Sequence, residues 1–157
     1  MPCALRLEHA VLNQLPMNEA KAILIVDDNE DDAVFLKFAM KKAGVLNSVM
    51  VISSGEETVC YFKGEGVFAD REKYPLPFIL FLDLQMRGLD GFQILEWLRE
   101  QPHLKPALVA IVTGDWEMRG ANRASELGAQ SFLVKPCKPL DILKLTRAFP
   151  EHWMMSP

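Results

Sequence analysis

Short apolar runs that stop at an acidic or otherwise polar residue recur along this chain, and that rhythm narrows the fold more than any other feature. The first run, at 22–26, ends at Asp27-Asp28. Runs at 49–53 and 78–82 follow, and the second of these ends at Asp83. Two more, at 107–112 and 131–134, end at Thr113 and at Lys135-Pro136. Brief continuous apolar runs rich in Val, Ile and Leu read as strands buried on both faces.

Helical signals lie between the runs. After the first, Asp28 or Asn29 can cap a helix, with Glu30, Asp31 and Asp32 in the first turn, where the helix dipole favours anions. Val34, Phe35, Phe38 and Ala39 then recur at helical spacing, Lys41-Lys42 fill the last turn, and Gly44 stops it. A second helix is expected over 54–63, with Val59 and Phe62 facing inward. Asp90 caps a third, which carries Phe92, Leu95 and Leu98 and halts before Pro102. A weaker helix over 116–127 is interrupted by Gly120, and a last one over 140–149 ends at Pro150.

Five strands alternating with helices predict an α/β fold, a parallel five-stranded sheet with helices on both faces and right-handed crossovers. In such sheets ligands sit beyond the carboxyl ends of the strands. Asp27, Asp28, Asp83, Thr113 and Lys135 all stand at such ends, so they are expected to converge. Residues 1–20 read as an N-terminal extension, either a short helix lined by Leu5, Val11, Leu12 and Leu15 or a frayed leader. The main domain is expected over 21–149, and residues 150–157 form a tail whose Trp153, Met154 and Met155 either pack back or meet a partner. A long polar connection at 64–77, containing Asp70-Arg71-Glu72-Lys73, exceeds the usual loop length.

Composition removes several function classes. The chain has 157 residues and a net charge of −4, with no long Lys/Arg run, so no DNA binding is expected. Cys3, Cys60 and Cys137 are too scattered for a disulfide framework or a zinc site. No stretch approaches the roughly 18 apolar residues of a membrane span, and the N-terminus lacks the basic region and continuous apolar core expected of a signal peptide. A cytoplasmic protein is expected.

The chemistry follows from the converging side chains. Two carboxylates about 4 Å apart repel by roughly 4 kcal/mol at an effective dielectric of about 20. Asp27, Asp28 and Asp83 together should therefore hold protons or a metal, and oxygen-only ligands suit Mg²⁺. A carboxylate beside such an ion can accept a phosphoryl group as an acyl phosphate. The Lys135 ammonium and the Thr113 hydroxyl can each take a phosphoryl oxygen.

The segments 23–29 (Ile-Leu-Ile-Val-Asp-Asp-Asn) and 81–91 (Phe-Leu-Asp-Leu-Gln-Met-Arg-Gly-Leu-Asp-Gly), with Val112-Thr113 and Val134-Lys135-Pro136, resemble the signatures of two-component response-regulator receiver domains. The likeness covers roughly residues 21–149. It implies the flavodoxin-like strand order 2-1-3-4-5. It further implies Asp83 as phosphoacceptor. Asp28 and Asp83 match the metal-ligating carboxylates, the Gln85 backbone carbonyl matches a third ligand, and Asp27 matches an acid that holds the ion through water. Mg²⁺ is the implied ion, with Mn²⁺ as a substitute. Thr113 matches the switch hydroxyl, Phe132 the aromatic switch, and Lys135 the cation that pairs with Asp83, with a cis bond to Pro136. Arg87 stands where the family usually has proline, which bears on the course of the loop. Asp115 either helps position water or caps the next helix. The 64–77 loop and Tyr61-Phe62-Lys63-Gly64 are similar to single-domain regulators paired with bacterial phytochrome kinases.

The resemblance implies a stand-alone phosphoacceptor switch served by a sensor histidine kinase of phytochrome type. Its output would be a protein contact, and a homodimer is open. It assists its own phosphorylation without being an enzyme in the turnover sense. One competing reading is a phosphatase of the haloacid-dehalogenase type, which needs a second acid two residues after the nucleophile, where this chain has Gln85. The other is a receiver-like binding module that works without phosphorylation.

Overall fold

Alternation along each strand decides which helix it meets. In the computed structural model, which describes residues 21–114 and 118–157, the apolar runs form β1 (Ile23–Val26), β2 (Val49–Ile52), β3 (Ile79–Leu82), β4 (Leu108–Thr113) and β5 (Ser131–Val134). All pair in parallel, in the order β2-β1-β3-β4-β5. The helices are α1 (Glu30–Lys42), α2 (Gly55–Lys63), α3 (Gly91–Arg99), α4 (Met118–Glu126) and α5 (Pro139–Ala148).

Leu24, Val26, Leu80, Leu82, Val109 and Ile111 point to one face of the sheet and pack with Tyr61 and Phe62 of α2, Ile94, Leu95 and Leu98 of α3, and Ala124 of α4. Their neighbours Ile23, Ile25, Ile79, Phe81, Leu108 and Ala110 point the other way, against α1 and α5. The unbroken apolar runs are thus two interleaved half-patterns, one for each core. Among the described residues, no helix is long and apolar enough to cross a membrane.

α1 corrects the inward face expected from its apolar spacing. Ala33, Leu36, Ala39 and Met40 are buried, whereas Val34, Phe35 and Phe38 are 63%, 58% and 57% exposed. Ala33 and Ala39 let the helix axis lie close to the sheet, where the large rings would hold it off. Asn29, not Asp28, is the cap, its side chain accepting from the Asp32 N–H. α2 likewise buries Thr58, Tyr61 and Phe62, with Val59 half-buried.

The connection after α2 is ordered by its own contacts. It opens with a 3₁₀ turn, Gly66–Ala69, and Phe68 and Tyr74 stack around Tyr61 at centroid separations of 5.1 and 6.1 Å. The chain after α5 also folds back. Trp153 is buried against Phe81, and Val45 and Met155 form an antiparallel bridge. Residues 1–20 and Asp115 lie outside the described residues, as does the start expected for the helix at 116–127.

Candidate functional site

β1 and β3 are central strands, so their C-terminal ends lie side by side, with Val26 paired to Leu82. Asp27 and Asp83 follow directly and are both 5% exposed. Asp28 is next along the chain and turns outward. One carboxylate oxygen from each of Asp27, Asp28 and Asp83 can be chosen so that all lie within 4.8 Å of one another. That is an all-oxygen donor set at the span a single hard cation bridges, so the residues fit such an ion.

β5 brings in the cation. The Lys135–Pro136 bond is cis, as the resemblance implied, and the Lys135 N–H donates to the Thr113 carbonyl at 3.0 Å, which locks the end of β5 to the end of β4. The Lys135 ammonium then meets three carboxylates: Asp27 Oδ2 at 2.6 Å, Asp32 Oδ2 at 3.0 Å and Asp83 Oδ2 at 3.1 Å. The expected partner was Asp83, but Asp27 is nearer and Asp32 was not anticipated. Asp32 reads in the sequence as one of three acids favoured by the helix dipole. The signal that could have marked it is its place at the third residue after the Asn29 cap, on the turn directly above the strand ends.

Burial and charge pull these groups in opposite directions. Desolvation raises the pKa of Asp83 above the ordinary aspartate value, although the Lys135 charge and the Gln85 N–H, which donates to Asp83 Oδ1 at 3.1 Å, both lower it. Burial would depress Lys135, but its hydrogen bonds to Asp27 and Asp32 and the charges of Asp83 and Asp27 outweigh that and hold its pKa above the usual lysine value. One ammonium shared among three carboxylates favours the charged form of the lysine, while burial outweighs that shared charge at Asp83. Cys137 stands near this cluster, but burial pushes its thiol up to about 11, so it is not a thiolate nucleophile at neutral pH.

The loop after Asp83 is tied down at both ends. Arg87, where proline is usual, keeps a backbone N–H, and it donates to Asp28 Oδ2 at 3.1 Å. The Leu89 N–H donates to Glu56 Oε1 at 2.9 Å, and this bond lowers the pKa of Glu56. Sequence reasoning did not single out Glu56, because its role depends on α2 starting beside this loop. Gly91 opens α3 close beneath Asp83; a Cβ there would lie 2.7 Å from the Leu84 Cα. Only glycine permits that approach.

Of the remaining expected site residues, Thr113 and Gln85 lie at the same end of the sheet, and Phe132 sits further back on β5, paired with Ile111. Thr113 is 3% exposed at the last position of β4, paired across to Val134. Phe132 is half-buried on β5 and packs against the core beneath α2, α3 and α4. Gln85 is exposed beyond Asp83. The structure therefore brings Asp27, Asp28, Asp83 and Lys135 into one cluster, with Thr113 joined to it through the Lys135 backbone. Chemically, this is a buried carboxylate beside an acidic metal-type donor set, with a charged donor within hydrogen-bond reach.

Comparison with known proteins identifies the family and the fold. The response regulator receiver domain family matches residues 23–147. Response regulator Rcp1 of Synechocystis sp. is 23% identical over 137 residues, covering 87% of this chain and 91% of that protein. Among solved structures, response regulator RPA3017 in red light signaling of R. palustris is 26% identical with a TM-score of 0.74, covering 87% of this chain and 99% of that one. The bacteriophytochrome response regulator AtBRR is 28% identical with a TM-score of 0.71, covering 87% and 96%.

Proposed function

The chain belongs to the response regulator receiver domain family, and on that premise we propose that Asp83 accepts a phosphoryl group from a sensor histidine kinase of phytochrome type. An Asp83 carboxylate oxygen forms the new O–P bond as the P–N bond to the donor histidine breaks, and the imidazole leaves with a proton. Hydrolysis reverses the state: water attacks phosphorus and the Asp83 carboxylate is regenerated. The observation that carries this reading is the Lys135 ammonium, held 3.1 Å from the buried Asp83 carboxylate at the end of the central strand.

Each neighbour has a role under this proposal. Asp28, Asp83 and the Gln85 carbonyl hold Mg²⁺, for which Mn²⁺ can substitute, and Asp27 supports it. The bound ion supplies positive charge against the phosphoryl oxygens. Lys135 donates to one phosphoryl oxygen, and the Thr113 hydroxyl donates to another. When Thr113 moves, Phe132 repacks beside it, and this carries the change to the surface around α4, β5 and α5.

A protein donor needs a docking face beside the site. The exposed Val34, Phe35 and Phe38 of α1 and Leu140 of α5 supply apolar surface on the two helices that flank it. The output is likewise a protein contact made in the cytoplasm, without turnover of a substrate.

Asp83→Asn tests the assignment. The variant keeps the native fold by circular dichroism, and with acetyl phosphate and Mg²⁺ it loses the acid-labile phosphate that the parent takes up. Uptake that persists in this variant rules out Asp83 as the acceptor.

A further inference from the structure

α1 carries its largest apolar side chains on the face turned away from the sheet. Ala33, Leu36, Ala39 and Met40 face inward, so Asp31, Val34, Phe35, Phe38, Lys41 and Lys42, which recur at steps of three and four residues, form the opposite stripe. Val34, Phe35 and Phe38 are all more than half exposed. The Lys42 ammonium lies 5.4 Å from the centre of the Phe38 ring, yet the ring stays 57% exposed. Single apolar residues on a surface need no explanation, but three large ones in one helical stripe make a contact patch.

The ends of the stripe show which partner fits. Glu30 and Asp31 stand at its N-terminal end, and Lys41 and Lys42 at its C-terminal end. Against a second copy running the other way, the stripe meets its own complement. Asp31 comes level with Lys41 and Val34 with Phe38, and a two-fold axis makes each pair occur twice. A parallel pair would instead set acid against acid and lysine against lysine. Asp31 and Lys41 lie ten residues apart in the chain. That is about 15 Å along a helix axis, so they cannot meet within one helix.

We propose that two copies of this chain associate through α1, antiparallel about a two-fold axis at the level of Leu36. Val34, Phe35 and Phe38 of each copy bury against the other copy, and each Asp31 pairs with the other copy's Lys41. One helix face is small beside the roughly 800 Å² that each partner gives to a stable interface, so the pair is transient. The pairing needs no function at Asp83. Its consequence, that a paired chain withholds this face from a phosphoryl donor, rests on the function proposed above.

Sedimentation velocity of the full chain from about 5 to 500 µM, without Mg²⁺ or phosphoryl donor, reads the association. A monomer–dimer equilibrium with a dissociation constant of about 50 µM is expected, with the Val34 methyl shifts moving over the same range. Phe38→Glu is expected to weaken pairing about tenfold or more. Asp31→Lys and Lys41→Glu, each alone, are expected to weaken it about fivefold. An equimolar mixture of these two variants is expected to pair within about twofold of the parent, because each supplies the charges the other lacks. Val67→Glu, at a 73% exposed apolar residue of the 3₁₀ turn, is expected to change pairing less than about twofold. A parent chain that stays monomeric throughout overturns the inference. So does pairing that survives Phe38→Glu, that Val67→Glu weakens equally, or that the mixture fails to recover. Phosphate uptake from acetyl phosphate, which needs no docking face, tests the proposed function separately.

Discussion

Asp27, Asp32 and Asp83 share a single ammonium, so removing one charge or the other should move stability in opposite directions. Desolvation raises Asp83, so between the ordinary aspartate pKa and its own raised value the folded state binds more protons than the unfolded one. Its contribution therefore makes stability fall as pH rises through that window. Asp83→Asn should accordingly be more stable than the parent by about 1 kcal/mol at neutral pH without divalent ions, with the gain lost in acid. Lys135→Ala strands Asp27 and Asp83 without their cation and should cost about 2 kcal/mol under the same conditions. Urea unfolding of the two variants across pH checks both signs. The strand-end residues were legible because each apolar run stops at a chemically distinctive side chain. Asp32 was not, because a helix-dipole explanation already accounted for an acid there and its partner lies 103 positions away.

At the scale of elements, the number of strands and helices follows from the spacing of the runs and the strand order from the family resemblance, but the way α1 faces did not. On α1 the sequence offers aromatic bulk at Phe35 and Phe38, and the structure buries alanines instead. Hydrophobicity alone does not report how near a helix must approach a sheet. The excursion after α2 was legible only as an unusually long loop. Its order comes from Arg71, whose guanidinium donates to the carbonyls of Tyr61 at 2.8 Å, Phe62 at 2.7 Å and Tyr74 at 3.3 Å. The first two are carbonyls in the last turn of α2, where the helical ladder runs out, and that of Tyr61 also accepts from the Gly64 N–H at 3.1 Å. Gly64, at φ 70°, ends that helix in the left-handed region, and a Cβ there would press on the same guanidinium at 2.8 Å. The buried Tyr61 hydroxyl donates to the Pro75 carbonyl at 2.9 Å, and burial pushes its pKa up to about 12. Arg71→Lys keeps the charge but loses the planar fork, and should cost about 1.5 kcal/mol in urea unfolding. Faster amide exchange should be confined to residues 64–77 and the end of α2.

At the scale of the whole molecule, the last residues close the body of the protein. Asn47 donates to the carbonyls of Lys21 at 2.7 Å and His152 at 3.3 Å, and accepts from the Met154 N–H at 2.7 Å. One side chain thus joins the start of β1 to the tail. Nothing periodic announces this, since a buried asparagine is legible only through its partners. Trp153→Ala should cost about 3 kcal/mol, and Asn47→Ala about 2 kcal/mol, by denaturant unfolding. Both variants should still take up phosphate from acetyl phosphate at low temperature, because the chemistry lies at the opposite ends of the strands. The Ser156 N–H donates to the Gly44 carbonyl at 2.7 Å, so the closure runs almost to the final residue. A purification tag or fluorescent reporter joined directly after Pro157 would tug on that seam, and such an attachment calls for a flexible spacer.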